Sequence, residues 1–287
     1  MLPNGNIYIC DSGIDGIIEI DRNTYVPEGF HLGLPTGDMQ FSPSCSLFVN
    51  TGNNRYHIHP NWTYHEYNTN EQPRTGNWLL RDDRTLITAT MGGAEINGGL
   101  INIYDKNNDG IANGYNEATK YVSATNISTL AFKGQDYTTV YFIQSNTGIM
   151  YQAPWQLNGV PNLFAVDPLL QNAKFLLYHN NGYFYSLSGN NIVKIKSDGS
   201  IVTPLFQAGH SPLSNPVQMI IGYDNQLYVA DNGLDNLLRI SPDGLNVSML
   251  LQEGLFTNLQ GVAIAPIPEP ATFLLLGFGA LMIRRKG

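Results

Sequence analysis

Residues Asn225–Ile240 read NQLYVADNGLDNLLRI, and Gly5–Ile20 read GNIYICDSGIDGIIEI, the same pattern displaced by 220 positions. Tyr8 answers to Tyr228, Asp11 to Asp231, Gly13 to Gly233, Asp15 to Asp235 and Ile20 to Ile240, with aliphatic residues exchanged for one another between them. Each copy predicts a hairpin: an alternating strand ending in Asp, a Gly-containing turn, then a second apolar run. The Asp carboxylate can accept hydrogen bonds from exposed backbone N–H groups of the turn, and Gly supplies positive φ without steric cost. Asp11 and Asp231 therefore read first as turn caps, with a ligand-lining role as the alternative.

Weaker copies set a period. Strand-like cores occur at Leu47–Asn50 (LFVN), Leu86–Ala89 (LITA), Val140–Gln144 (VYFIQ) and Tyr183–Leu187 (YFYSL). Phe48, Ile87, Tyr141, Tyr185 and Tyr228 follow Tyr8 at steps of 40, 39, 54, 44 and 43 residues. Steps of about 40 to 50 residues are those of a four-stranded propeller blade. The sequence thus predicts an all-β fold, a six-bladed β-propeller of four-stranded blades spanning residues 1–266, followed by a tail of residues 267–287. The last full copy leads into NLQGVAIAP, Asn258–Pro266, which stops short of another hairpin. The missing hairpin stands at Gly5, so Gly261–Ala265 is expected to close the ring by pairing with Ile7–Cys10.

This pattern resembles the NHL and gluconolactonase-like group of six-bladed propellers, whose repeats carry a G-x-L-Y-V-A-D strand. The resemblance implies a fold more than an activity, because propellers host many unrelated functions. It also raises the alternative of a metal-dependent lactonase that holds a divalent ion in the central channel. Asp38, Asn126, Asn215 and Asn258 precede inner strands and are the channel candidates, with turn roles as the simpler assignment. The chain has no G-x-S-x-G elbow, H-E-x-x-H helix or phosphate-binding Gly-rich loop, so no catalytic residue is assigned. A net charge of -8 argues against nonspecific nucleic-acid binding.

The C-terminus, IPEPATFLLLGFGALMIRRKG, joins a Pro-Glu-Pro motif to an apolar run, Ala271–Ile283, and a basic end, Arg284, Arg285 and Lys286. Prolines interrupt regular structure, the apolar run suits a hydrophobic helix in lipid, and the basic end suits the cytoplasmic side. Thirteen residues span only about 20 Å as a helix, against a hydrocarbon core of about 30 Å, so this is a marginal permanent anchor. The tail resembles the PEP-CTERM sorting signal of Gram-negative bacteria. That resemblance makes Pro268, Glu269 and Pro270 the recognition motif and implies processing by exosortase, a membrane transpeptidase. It also implies a transient inner-membrane stage and an exported, envelope or extracellular protein, with exopolysaccharide or a surface protein as partner. An ordinary tail anchor is the alternative. Met1–Gly5 run into the first strand without a basic and apolar leader, so a signal peptide is expected to be missing from this chain.

Cys10 and Cys45 fall at positions offset by about 15 Å along neighbouring strands, too far for a disulfide, and two separate thiols are expected. The segment Arg55–Tyr67, RYHIHPNWTYHEY, gathers Tyr56, His57, His59, Trp62, Tyr64, His65 and Tyr67. Structural packing, an aromatic surface for a sugar or partner, and a transition-metal site are its three readings. In Tyr104–Glu117, Asp105, Asn107 and Asp109 occupy positions 1, 3 and 5 of a calcium-type loop, with Gly110 at 6. The Ile111 carbonyl and Asn113 can add ligands, but position 12 is Asn116 and the acid is displaced to Glu117. The loop resembles calcium loops of the dockerin and EF-hand type with that departure; a polar turn is the alternative. If calcium binds, saturating calcium raises the unfolding temperature and a chelator lowers it. Asp105→Ala combined with Asp109→Ala abolishes that difference, and identical responses of wild type and variant would remove the site.

Overall fold

The computed structural model describes residues 4–41, 46–51, 55–59, 61–67, 75–82, 85–90, 99–104, 118–123, 127–134, 136–155, 160–251 and 256–267, with backbone alone at 55 and in the strands between 65 and 123. These residues form 24 strands and a single 3-10 turn, Pro168–Leu170. The strands fall into six antiparallel four-stranded sheets. The first takes its strands from both ends of the chain, in the order β24 (Leu259–Ile264), β1 (Ile7–Asp11), β2 (Gly16–Ile20), β3 (Pro27–Leu32). The next runs β4 (Asp38–Phe41), β5 (Leu47–Asn50), β6 (Arg55–Ile58), β7 (Tyr64–Tyr67). The third runs β8 (Thr75–Asp82), β9 (Thr85–Thr90), β10 (Gly99–Tyr104), β11 (Ala118–Ser123). The fourth is β12 (Ile127–Lys133), β13 (Asp136–Gln144), β14 (Ile149–Pro154), β15 (Asn162–Val166). The fifth is β16 (Ala173–His179), β17 (Tyr183–Ser188), β18 (Asn191–Lys196), β19 (Val202–Pro204), and the last is β20 (Pro216–Ile221), β21 (Leu227–Asp231), β22 (Asn236–Ile240), β23 (Val247–Met249).

All six strand-like cores found in the sequence lie in the second strand of a sheet. Five sheets are described with side chains, and their inner strands β24, β4, β12, β16 and β20 line one central cavity. The sheet β8–β11 is described by backbone pairing alone, with β8 beside β12. Against the six blades expected from the period, the structure therefore describes five blades packed around the cavity and one further four-stranded sheet. The fold is a β-propeller.

Ring closure occurs as the repeat requires, with Ile7 opposite Ile264, Tyr8 opposite Ala263 and Cys10 opposite Gly261. The two strong copies share one register: Tyr8 faces Glu19 as Tyr228 faces Arg239, and Asp11 faces Gly16 as Asp231 faces Asn236. Both faces of these second strands are buried. Ile7 and Ile9 pack toward β20–β22, whereas Tyr8 and Cys10 pack toward β4–β6. That is why IYIC and LYVA read as continuous apolar runs rather than clean alternations.

The two aspartates do more than cap. Asp231 is fully buried; its Oδ1 accepts from the N–H groups of Gly233 (2.9 Å), Leu234 (3.2 Å) and Asn215 (2.8 Å), and its Oδ2 from Ser214 (2.8 Å). Asp11 repeats the arrangement with Gly13 (2.7 Å) and Thr257 (2.9 Å). Each carboxylate thus ties the hairpin turn to the loop that feeds its own sheet's inner strand. The expected role of the turn glycines is corrected here: positive φ falls on Asp15 (53°) and Asp235 (47°), not on Gly13 or Gly233. Those glycines serve close approach instead, since a Cβ on Gly13 would meet Thr257 Oγ1 at 1.8 Å and one on Gly233 would meet Ser214 Oγ at 2.5 Å.

Cys10 is a free, buried thiol, pushed up to about 12 by burial and held by the Gly37 N–H at 3.2 Å. Cys45 lies outside the described residues, as do the possible calcium ligands Asp105, Asn107, Asp109, Ile111, Asn113 and Glu117 and the whole tail from Pro268. Among the described residues no helix is long and apolar enough to cross a membrane; the helix expected at Ala271–Ile283 falls outside them.

Asp231→Ala strips the acceptor from four backbone donors and is expected to cost about 3 kcal/mol or more. Asp231→Asn, which keeps one oxygen, should cost less. Urea unfolding at constant slope measures both, and a loss under about 0.5 kcal/mol for the Ala variant would show that the pin is dispensable.

Candidate functional site

Inner strands leave one backbone edge unpaired toward the channel, and Gln218 of β20 covers part of it. Its Oε1 accepts from the N–H of Val262 (2.9 Å) and of Met39 (3.2 Å), while its Nε2 donates to the Met39 carbonyl (2.7 Å). The amide therefore reaches past β24 to β4. Gly261 permits that crossing, because a Cβ there would meet Gln218 Oε1 at 2.7 Å and the Gly37 carbonyl at 2.3 Å. The strand ladders place Gly261, Gln218, Asp38 and Thr129 at one equivalent level, opposite Cys10, Ala230, Asn50 and Ile143.

From that level a cavity of about 490 Å³ extends along the inner strands to Gly134, Tyr137 and Pro266. Its wall is mainly apolar and aromatic, including Phe41, Phe132, Tyr178 and Ile221. This size and composition fit a small-molecule site. Asp38 lines it, and burial alone pushes its carboxyl up to about 7. Thr129 also lines it, fully buried, with no hydrogen-bond partner for Oγ1.

The three channel candidates among the described residues do not converge. Asn215 and Asn258 stand in the loops before the inner strands, outside the cavity wall. The Asn215 N–H binds Asp231, and the Asn258 side chain joins Asn232, Ser12 and Gln260. Asn126 lies outside the described residues, and Asp38 alone reaches the cavity. Among the described residues no group of three or more His, Cys, Asp or Glu side chains could hold a metal. Sequence reasoning missed Gln218 and Thr129; their signal is only the register that aligns them with Asp38.

The aromatic segment divides. Trp62 is turned inward, its ring stacked on His31 at 3.3 Å between centroids and 5.9 Å from Tyr8. His57 stacks on Phe48 at 4.9 Å and lies 4.7 Å from the His59 ring. Tyr56 meets Tyr64 edge-on at 5.4 Å, and Tyr64 is exposed. His57 pairs with His65 across β6 and β7, but the His65 side chain is not among those described.

The most informative comparison concerns the end of the chain. Residues 266–286 match the PEP-CTERM protein-sorting motif. That motif implies an exported, envelope-associated protein processed by an exosortase-type system. No curated protein matches the chain in sequence. Solved structures resemble the propeller. Virginiamycin B lyase from Staphylococcus aureus is 13% identical with a TM-score of 0.56, over 88% of this chain and 86% of that one. A protein of unknown function from Bacteroides caccae is 11% identical with a TM-score of 0.64, over 93% and 100%. An auxiliary nutrient binding protein from Bacteroides ovatus is 12% identical with a TM-score of 0.62, over 85% and 64%. Identities this low speak to the fold alone.

The raised carboxyl of Asp38 gives a stability prediction. The unfolded value is about 3.9 and the folded value about 7, so the native state binds the proton more tightly. Stability from this group is fully present below about pH 4 and is lost as pH rises through about 7. Asp38→Asn should therefore match wild type near pH 4 and exceed it at pH 8 by about 2 kcal/mol after solvent screening. Denaturant unfolding at the two pH values checks this, and a variant less stable at pH 8 would mean that Asp38 has a stabilising partner.

Proposed function

We propose that this chain is an exported β-propeller that an exosortase-type system sorts to the cell envelope, where it acts as a binding module with the central cavity as its ligand site. One observation carries the reading: Pro266 lines the cavity and is also the first residue of the matched sorting motif. The processing tail therefore departs from the cavity's edge. The apolar wall supports binding rather than hydrolysis, since the polar groups reaching it include only one carboxylate among the described residues.

Replacing Pro268, Glu269 and Pro270 together by Ala should leave the protein unprocessed in the inner-membrane fraction with its tail intact. Cell fractionation with intact-mass measurement reads both. Unchanged processing and release would count against sorting through this motif.

A further inference from the structure

The cavity wall changes character along its length. Near Gly134 and Pro266 it presents the rings of Phe41, Phe132, Tyr137 and Tyr178. At the Gln218 level the amide is already engaged by Met39 and Val262, whereas the Asp38 carboxylate and the Thr129 hydroxyl are not engaged in any hydrogen bond or ion pair among the described residues. No Lys, Arg or His is among the described residues lining the cavity. The nearby Lys133 is occupied elsewhere, its Nζ donating to the Ser197 carbonyl at 3.4 Å and lying 5.8 Å from the centre of the Tyr178 ring.

A carboxylate beside an apolar wall is costly where nothing offsets its charge, and among the described residues no hydrogen bond or opposite charge does so for Asp38. That cost is relieved by one kind of occupant. Building on the binding-module reading, we propose that the cavity takes an organic cation with an apolar body, its ammonium group against Asp38 and its hydrocarbon part among Phe41, Phe132, Tyr137 and Tyr178. The attraction between opposite charges is strengthened where water is displaced. Aromatic faces favour a cation further. An anion of the same shape meets the Asp38 charge and is rejected. A neutral alcohol keeps the apolar contacts but loses the charge pairing.

Isothermal titration of the purified full chain at pH 8 with 4-phenylbutylammonium, 4-phenylbutan-1-ol and 4-phenylbutyrate tests this. The ammonium should bind about 10-fold more tightly than the alcohol, equivalent to about 1.4 kcal/mol, and the carboxylate least. Asp38→Asn should bring the ammonium to the alcohol's affinity and leave the alcohol unchanged. If wild type binds alcohol and ammonium equally, the cation preference is overturned while the cavity remains a binding site. If the preference survives Asp38→Asn, the cation sits elsewhere and the proposal is wrong. If none of the three binds, the cavity reading falls with it. The wild-type comparison decides the matter even should the variant fail to fold.

Discussion

A buried carboxylate gathering backbone N–H groups from two separate stretches of chain is the constraint on which this propeller turns. Asp231 holds its own hairpin turn and the Ser214–Asn215 loop at once, and Asp11 holds its turn and Thr257 across the join between the chain's two ends. A hairpin alone sets no angle to the loop that enters its sheet. One charged acceptor shared by both removes that freedom, and charge-assisted hydrogen bonds of this kind are the stronger ones. Close approach then follows, which is why Gly13 and Gly233 stand where any Cβ would strike the neighbouring loop.

The repeat was legible because the pin needs particular residues. Tyr, Asp, Gly and the second Asp recur 220 residues apart, and the structure gives both copies one register. The period also located all six second strands; in the five described with side chains the central residue, Tyr8, Phe48, Tyr141, Tyr185 or Tyr228, is a buried aromatic. What the sequence could not convey is which residue adopts an unusual backbone. Gly was the natural choice for positive φ, yet Asp15 and Asp235 carry it, as Asp can through its short polar side chain. Composition gives no warning that a glycine is needed for proximity rather than for φ.

The site was less legible for a related reason. Asp38 could be picked as one of four polar residues before inner strands, but separating it from Asn215 and Asn258 requires the ladder. Those two fall in the entry loops, while Asp38 is already within β4. Bulges at the starts of β12, β16, β20 and β24 shift the count by one residue, and β4 lacks one against β5. Trp62 carried both a packing and a binding reading, and its ring stacks on His31 and packs near Tyr8. An aromatic-rich stretch has the same composition whether its rings face a partner or the adjoining blade.

The position of the tail follows from how the first sheet is assembled. Its innermost strand, β24, comes from the C-terminal end of the propeller, and its next strand, β1, from the N-terminal end. A chain that ends its fold on an inner strand must leave beside the channel. Had the C-terminal segment supplied an outer strand, the tail would depart from the rim of the disc, remote from the cavity. The shared Pro266 is thus a consequence of the closure and needs no contact between tail and cavity.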